Sequence, residues 1–164
     1  MVTTLLKALD TNKLDVLVAN MELPPIDIDV MLYEAEEKGE IKIDRKKNKI
    51  ELLKEPEYPY YDAQLKNKIA QLIQYYDKQG ANITLGRLKS VCVETATGIG
   101  YPRHDFICSM YVLEQEGNVK TYEISVPEIK NKRPANKFKF YTFLDHQEFG
   151  ARAVNEYIDQ HNKK

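Results

Sequence analysis

Apolar residues recur along this chain with two periods, and the period switches at a glycine twice in the same manner. Leu5, Leu6 and Leu9 share one helical face behind Thr3 and Thr4, which stand where caps are expected. Asp10-Thr11-Asn12 is a turn, and Leu14, Leu17, Val18 and Met21 then follow at helical spacing. Leu23-Pro24-Pro25 ends that helix, because proline disfavours helix in the residue before it. Proline is tolerated in the first turn of the next helix, and Asp27 there complements the helix dipole. The third helix runs to about Lys38 with Ile28, Met31, Leu32 and Ala35 inward, and Gly39 is its stop. Alternation in Glu40-Ile41-Lys42-Ile43 and in Lys49-Ile50-Glu51-Leu52 predicts two strands around a charged tip, Asp44 to Asn48.

The second half follows the same plan. Lys54 to Pro59 reads as a linker, with tyrosines placed to pack on a neighbour. A long helix starts near Tyr61 or Asp62, carries Leu65, Ile69, Leu72, Ile73 and Tyr76 on one stripe, and ends at Gly80. Asn82 is the expected cap of a helix containing Leu85, Leu88, Val91 and Cys92. A turn from Thr95 to Tyr101 leads to a helix from Pro102 to Glu116, closed by Gly117. Strands are expected over Val119–Val126 and Lys137–Phe143, joined by the loop Pro127–Asn136. Asp145 with Glu148 resembles a capping box and opens a last helix through Phe149, Val154, Tyr157 and Ile158. The tail from His161 to Lys164 is expected to fray.

The two halves also match residue for residue. PPIDIDVMLYEAEEKGEIK (24–42) and PRHDFICSMYVLEQEGNVK (102–120) align at one offset. Pro24 meets Pro102, Asp27 meets Asp105, Tyr33 meets Tyr111, Glu36 meets Glu114, Gly39 meets Gly117 and Lys42 meets Lys120. A repeat in a chain of 164 residues implies one supersecondary unit built twice. Each unit is small, so the two are expected to pack together.

Composition excludes several classes. Apolar content is ordinary for a globular protein, and no basic-plus-apolar leader or long uncharged apolar run is visible, so the expectation is a soluble, cytoplasmic protein without membrane contact. Cys92 and Cys108 are the only cysteines, lack Cys-x-x-Cys spacing and have only His104 nearby. That predicts reduced core thiols and no metal site. The net charge of −1 conceals clustering. Four of the five residues from Arg45 to Lys49 are cationic, and Lys130, Lys132, Arg133, Lys137 and Lys139 form a second basic run. Local patches of this kind matter more than the sum where a surface meets phosphate.

Three short helices followed by a hairpin, twice over, resemble the winged-helix family, a variant of helix-turn-helix. The resemblance covers nearly the whole chain and rests on element order and on the glycine-ended third helix running into the hairpin. It implies an α+β chain of tandem winged-helix modules. Residues 1–53 form the first module, 54–60 a linker, 61–143 the second module, and 144–164 an extra C-terminal helix and tail. It also implies third helices, Pro24–Lys38 and Pro102–Glu116, of the kind that enter a major groove. The wing tips would be Asp44–Lys49 and Ile129–Lys139.

The residues support only part of that implication. The wings carry phosphate-neutralising cations, with Arg133 beside Pro134 able to reach a narrow minor groove. Lysine-rich tips equally serve solubility and edge protection. The first third helix shows Asp27, Asp29, Glu34 and Glu37 outward, and carboxylates are repelled by phosphate. The equivalent face of the second shows His104, Ile107, Cys108 and Tyr111, an interface between the modules or between subunits. Arg87, Lys89, Ser90, Thr95, Thr97 and Arg103 form a candidate basic edge for phosphate contact.

No phosphate loop, His-Glu-x-x-His or Gly-x-Ser-x-Gly is present, and Thr97-Gly98-Ile99-Gly100 lacks a preceding strand and a third glycine. The expectation is therefore a non-enzymatic binder of double-stranded DNA acting in transcription or replication control, with no cofactor and no small-molecule substrate. Its contacts would be Arg45, Lys46, Lys47, Lys49, Arg87, Lys89, Thr97, Arg103, Lys130, Lys132, Arg133 and Lys137. A homodimer through the C-terminal helix or the Ile107/Tyr111 face fits the same reading. The alternative is a protein–protein adaptor built on winged-helix scaffolds.

Overall fold

Both helix-to-strand changes fall at the expected glycines. Gly39 has φ +69°, and the Gly39 and Glu40 amides donate to the Glu36 and Ala35 carbonyls at 3.0 Å each. Such paired capping bonds need a left-handed residue, which glycine supplies without a Cβ penalty. Gly117, at φ +79°, repeats the turn, with its amide donating to the Glu114 carbonyl at 3.1 Å.

The computed structural model describes residues 1–96, 98–144 and 148–162. Within them the order is α1 (Val2–Leu9), α2 (Leu14–Ala19), α3 (Pro25–Glu37), β1 (Ile41–Asp44) and β2 (Lys49–Leu52), then α4 (Ala63–Lys78), β3 (Ile83–Thr84), α5 (Leu85–Cys92), α6 (Arg103–Gln115), β4 (Lys120–Val126), β5 (Asn136–Thr142) and α7 (Glu148–Asn162). The fold is α+β, with seven helices and two small antiparallel sheets among the described residues. One sheet is the β1–β2 hairpin, with Ile43 opposite Ile50. The other runs β3-β5-β4, with Tyr122 opposite Phe140 and Ile83 opposite Tyr141. The first unit carries a vestige of the same third strand, an isolated bridge from Lys13 to Lys49.

Each unit has its own apolar core. Leu5, Leu6, Leu17, Leu32, Ile41 and Ile50 lead the first. Leu65, Ile69, Ile73, Ile83, Leu88 and Phe106 lead the second. The cores meet where α6 packs on α1: Cys108 belongs to the first core, and Ile107 packs against both. The half-buried Ile107/Tyr111 face thus sits between the two units of one chain. The apolar side of α7 is likewise occupied within the chain, with Val154, Tyr157 and Ile158 lying against Phe138, Phe140 and Val126 of the second sheet. Gly150 is what lets α7 approach, because a Cβ there would collide with the Tyr122 ring and hydroxyl.

Two local expectations differ from the structure. Thr3 and Thr4 lie inside α1 and are buried, with Met1 at the N-cap, because both faces of this short helix are covered. Asn82 does not cap α5. Thr84 does, its hydroxyl accepting from the Arg87 amide at 3.1 Å, and Asn82 is drawn into the interior instead. The proposed Asp145 cap lies outside the described residues, as do Lys163 and Lys164.

Asn82 joins a buried polar staple centred on Asp77. Asp77 Oδ1 accepts from Thr142 Oγ1 at 2.7 Å and from Asn82 Nδ2 at 3.1 Å, and Oδ2 accepts from the Phe143 amide at 2.9 Å. Tyr122 Oη donates to Asn82 Oδ1. A buried carboxylate is tolerated only when donors satisfy it, and these donors fasten the end of α4 to β4 and β5. Asp77→Ala orphans three of them, so stability to urea unfolding should fall by about 3 kcal/mol. A loss under about 1 kcal/mol would show that water replaces the carboxylate and that the staple carries little.

Candidate nucleic-acid interface

Pairing of β3 with β5 sets the second hairpin beside the start of α5. Along β5 the side chains alternate. Phe138 and Phe140 join the cluster under α7, while Lys137 and Lys139 look the other way. On α5, Leu88 is buried in the second core, which turns Arg87 and Lys89 outward. Between them lies a groove of about 600 Å³ bordered by Arg87, Lys89, Ser90, Lys137, Phe138 and Lys139.

Four cations on one groove make a concave positive surface. Two are partly neutralised: Lys137 Nζ lies 2.9 Å from Glu123 and Lys139 Nζ 3.6 Å from Glu114. Arg87 and Lys89 are exposed and form no salt bridge among the described residues. Ser90 is engaged locally, its hydroxyl donating to Glu94 Oε2 at 3.2 Å. Thr84 and Asn136 also border the groove; Lys139 and Asn136 fall within the expected wing, but the expected contacts include neither them nor Thr84. The alternation of Lys137 and Lys139 with two phenylalanines was the signal that both lysines share a face.

The first hairpin tip is a separate cationic surface. Asp44 Oδ1 accepts from the Lys47 amide at 3.2 Å, which fixes the turn. Asn48, at φ +52°, accepts at its side-chain oxygen from the Asp15 amide (2.9 Å) and at its carbonyl from the Leu14 amide (3.2 Å). The tip is thereby clamped to the start of α2. The Asn48 side chain also holds the Asp15 carboxyl below its ordinary range. Arg45, Lys46, Lys47 and Lys49 are left exposed around this anchor. The hollow of about 440 Å³ beneath them mixes Lys42, Lys47 and Lys49 with Asp44 and Glu51, so its charges offset one another.

Two expected contacts are elsewhere engaged. Arg133 is buried, 9 % exposed. Its Nε donates to the Pro127 carbonyl at 3.3 Å, and its backbone bridges to Ile129 in both directions at 3.0 Å. It closes the hairpin loop from inside and does not extend into solvent as expected; Lys130 and Lys132 beside it do. Arg103 is paired across the unit boundary. Its Nε and its amide donate to Glu22 Oε1 at 2.9 and 3.0 Å, and Arg103 holds the Glu22 carboxyl below its ordinary range. Thr97 lies outside the described residues.

The two third helices carry no concentration of exposed cations among the described residues. On α6, His104 is buried with Nδ1 accepting from the Glu22 amide at 3.1 Å, and Cys108 is fully buried. The outward side of α3 is acidic and exposed. Among the described residues no group of three or more His, Cys, Asp or Glu side chains could hold a metal ion, and no helix is long and apolar enough to cross a membrane. No family model matches the chain, and comparison with curated proteins and with solved structures finds no match.

Burial also sets the thiol chemistry. The Cys92 thiol is pushed up to about 11 and the Cys108 thiol to about 12, in both cases chiefly because the thiolate would be desolvated. A thiol whose pKa is raised by folding stabilises the native state fully below the unfolded value of 9.0, and that contribution is lost as pH climbs toward the folded value. Thermal midpoints should therefore hold steady to pH 9 and fall between pH 9 and 11. Ellman's reagent should titrate neither thiol in the native protein at pH 8 and both after denaturation. Rapid reaction of either thiol in the folded chain would contradict the core placement.

Proposed function

We propose that this chain is a pair of winged-helix modules that binds the backbone of double-stranded DNA without enzymatic activity. The module assignment is supported by the common plan of the two units: three helices, a glycine-ended third helix, a hairpin, and a strand or bridge added to the hairpin's second strand. The observation that carries the binding reading is the α5–β5 groove, where Arg87 and Lys89 face Lys137 and Lys139. Side-chain cations and a helix start beside a concave surface are ordinary means of holding phosphate oxygens. Lys130 and Lys132 on the adjoining loop and Arg45, Lys46, Lys47 and Lys49 on the first hairpin add further cations.

The mechanism is electrostatic. Each phosphate neutralised releases condensed counterions, so affinity falls linearly on a logarithmic salt scale. With α6 covered and α3 acidic, sequence preference arises from DNA shape alone. Such a protein suits an accessory role in transcription or replication control more than recognition of a unique operator.

Fluorescence anisotropy on duplexes of unrelated sequence should give similar affinities. Arg87→Ala with Lys89→Ala should reduce the steepness of the salt dependence by about 2, at roughly 0.9 per phosphate contact. Lys130→Glu with Lys132→Glu should weaken binding further, whereas Arg103→Ala should leave it nearly unchanged. Undiminished affinity in a folded Arg87→Glu/Lys89→Glu variant would sink the proposal.

A further inference from the structure

The first unit leaves open a face that its twin uses. On α3, Ile26, Val30 and Tyr33 stand at helical spacing and are 71 %, 49 % and 64 % exposed. At the repeat offset these positions correspond to His104, Cys108 and Tyr111 on α6, the side that packs against α1, with His104 and Cys108 buried. Within this chain, then, that side of a third helix already holds another helix. On α3 it has no partner among the described residues.

Two more observations say what kind of partner fits. A groove of about 430 Å³ runs beside the stripe, bordered by Met1, Leu23, Val30, Met31 and Tyr60 together with Asp27 and His104, so that most of its lining is apolar. The charged side chains of α3 itself are of one sign, with Lys38 just beyond them at the C-cap. Asp27, Asp29, Glu34, Glu36 and Glu37 are all exposed, and α3 contains no lysine or arginine. We infer that the α3 face is a docking site for an amphipathic helix of a protein partner, whose apolar side chains cover Ile26, Val30 and Tyr33 and whose flanking lysines or arginines meet the acidic rim.

The charge pattern selects this occupant over others. A second copy docking through the same face would set carboxylates against carboxylates. Nucleic acid and anionic lipid surfaces are repelled for the same reason. The face is distinct from the cationic α5–β5 groove, so the inference stands apart from the DNA reading.

The test uses the whole chain and two synthetic amphipathic helices with identical leucine faces, one flanked by Lys and Arg and one by Glu. Calorimetry at low salt should show saturable binding of the basic peptide and at least about tenfold weaker binding of the acidic one. Val30→Ser with Tyr33→Ser should weaken the basic peptide about tenfold or more while leaving the thermal midpoint and DNA affinity unchanged. Both side chains are exposed, so this variant should fold; should it not, Asp29→Lys with Glu37→Lys provides the same readout through charge. Absence of saturable binding, equal binding of both peptides, or binding that survives the substitutions would overturn the inference. So would self-association in sedimentation that the serine substitutions abolish, since the occupant would then be a second copy.

Discussion

Contact between α6 and α1 governs everything else in this molecule. Cys108 crosses into the first core and Ile107 seats against both cores, so two small units share apolar burial that neither has alone. Polar contacts fix the registration of that packing. Glu22 accepts from Arg103 while its own amide donates to His104. The linker is strapped down by the Tyr60 amide on Thr4 (2.8 Å), the Tyr60 hydroxyl on Asp105 (2.6 Å) and the Asp62 amide on Ser109 (3.2 Å). The Glu22–Arg103 pair is nearly half exposed, and such pairs contribute about 0–1 kcal/mol. Apolar contact supplies the adhesion, and the hydrogen bonds supply the angle.

That packing also divides the charges. The cations of the candidate interface lie on the two hairpins and on α5, whereas every charged side chain of α3 is acidic. A net charge near zero is the sum of two opposed surfaces, not the absence of either. A polyanion at the α5–β5 groove and a cationic helix at α3 would meet complementary fields at different places. Neither ligand would need the other's residues, so the two proposed contacts are compatible in one molecule.

The sequence disclosed the scaffold well because its signals are local. The helix stops at Gly39, Gly80 and Gly117 and the alternation around Ile41 and Ile50 each depend on a few neighbouring residues. What it concealed depends on distance along the chain. β3 is two residues long and carries no period, so Asn82 looked like a cap when it belongs to the Asp77 staple. Arg133 and Lys132 are adjacent cations of opposite fate, one beneath the loop and the other outside it, and composition cannot separate them. Arg103 finds its carboxylate 81 residues away, so a free phosphate contact was the natural reading of an exposed arginine at a helix start. Lys137 and Lys139 reach the α5 groove only through the β3–β5 pairing, which the two-strand reading of this hairpin lacked.

The repeat itself shows how two similar helices come to differ in burial. Several of its shared residues stand at caps and turns: the prolines that open the third helices, the glycines that close them and the lysines that enter the strands. These preserve the scaffold whatever the helix face touches. On the outward face Tyr33 and Tyr111 are shared, whereas Ile26 and Val30 answer to His104 and Cys108. On α6 that face has a fixed neighbour, and a histidine that accepts from the Glu22 amide and a small thiol suit close packing. On α3 it keeps larger apolar groups in solvent beside exposed carboxylates that form no salt bridge among the described residues. The repeat thus has one third-helix face closed by α1 within the chain and the other open to solvent.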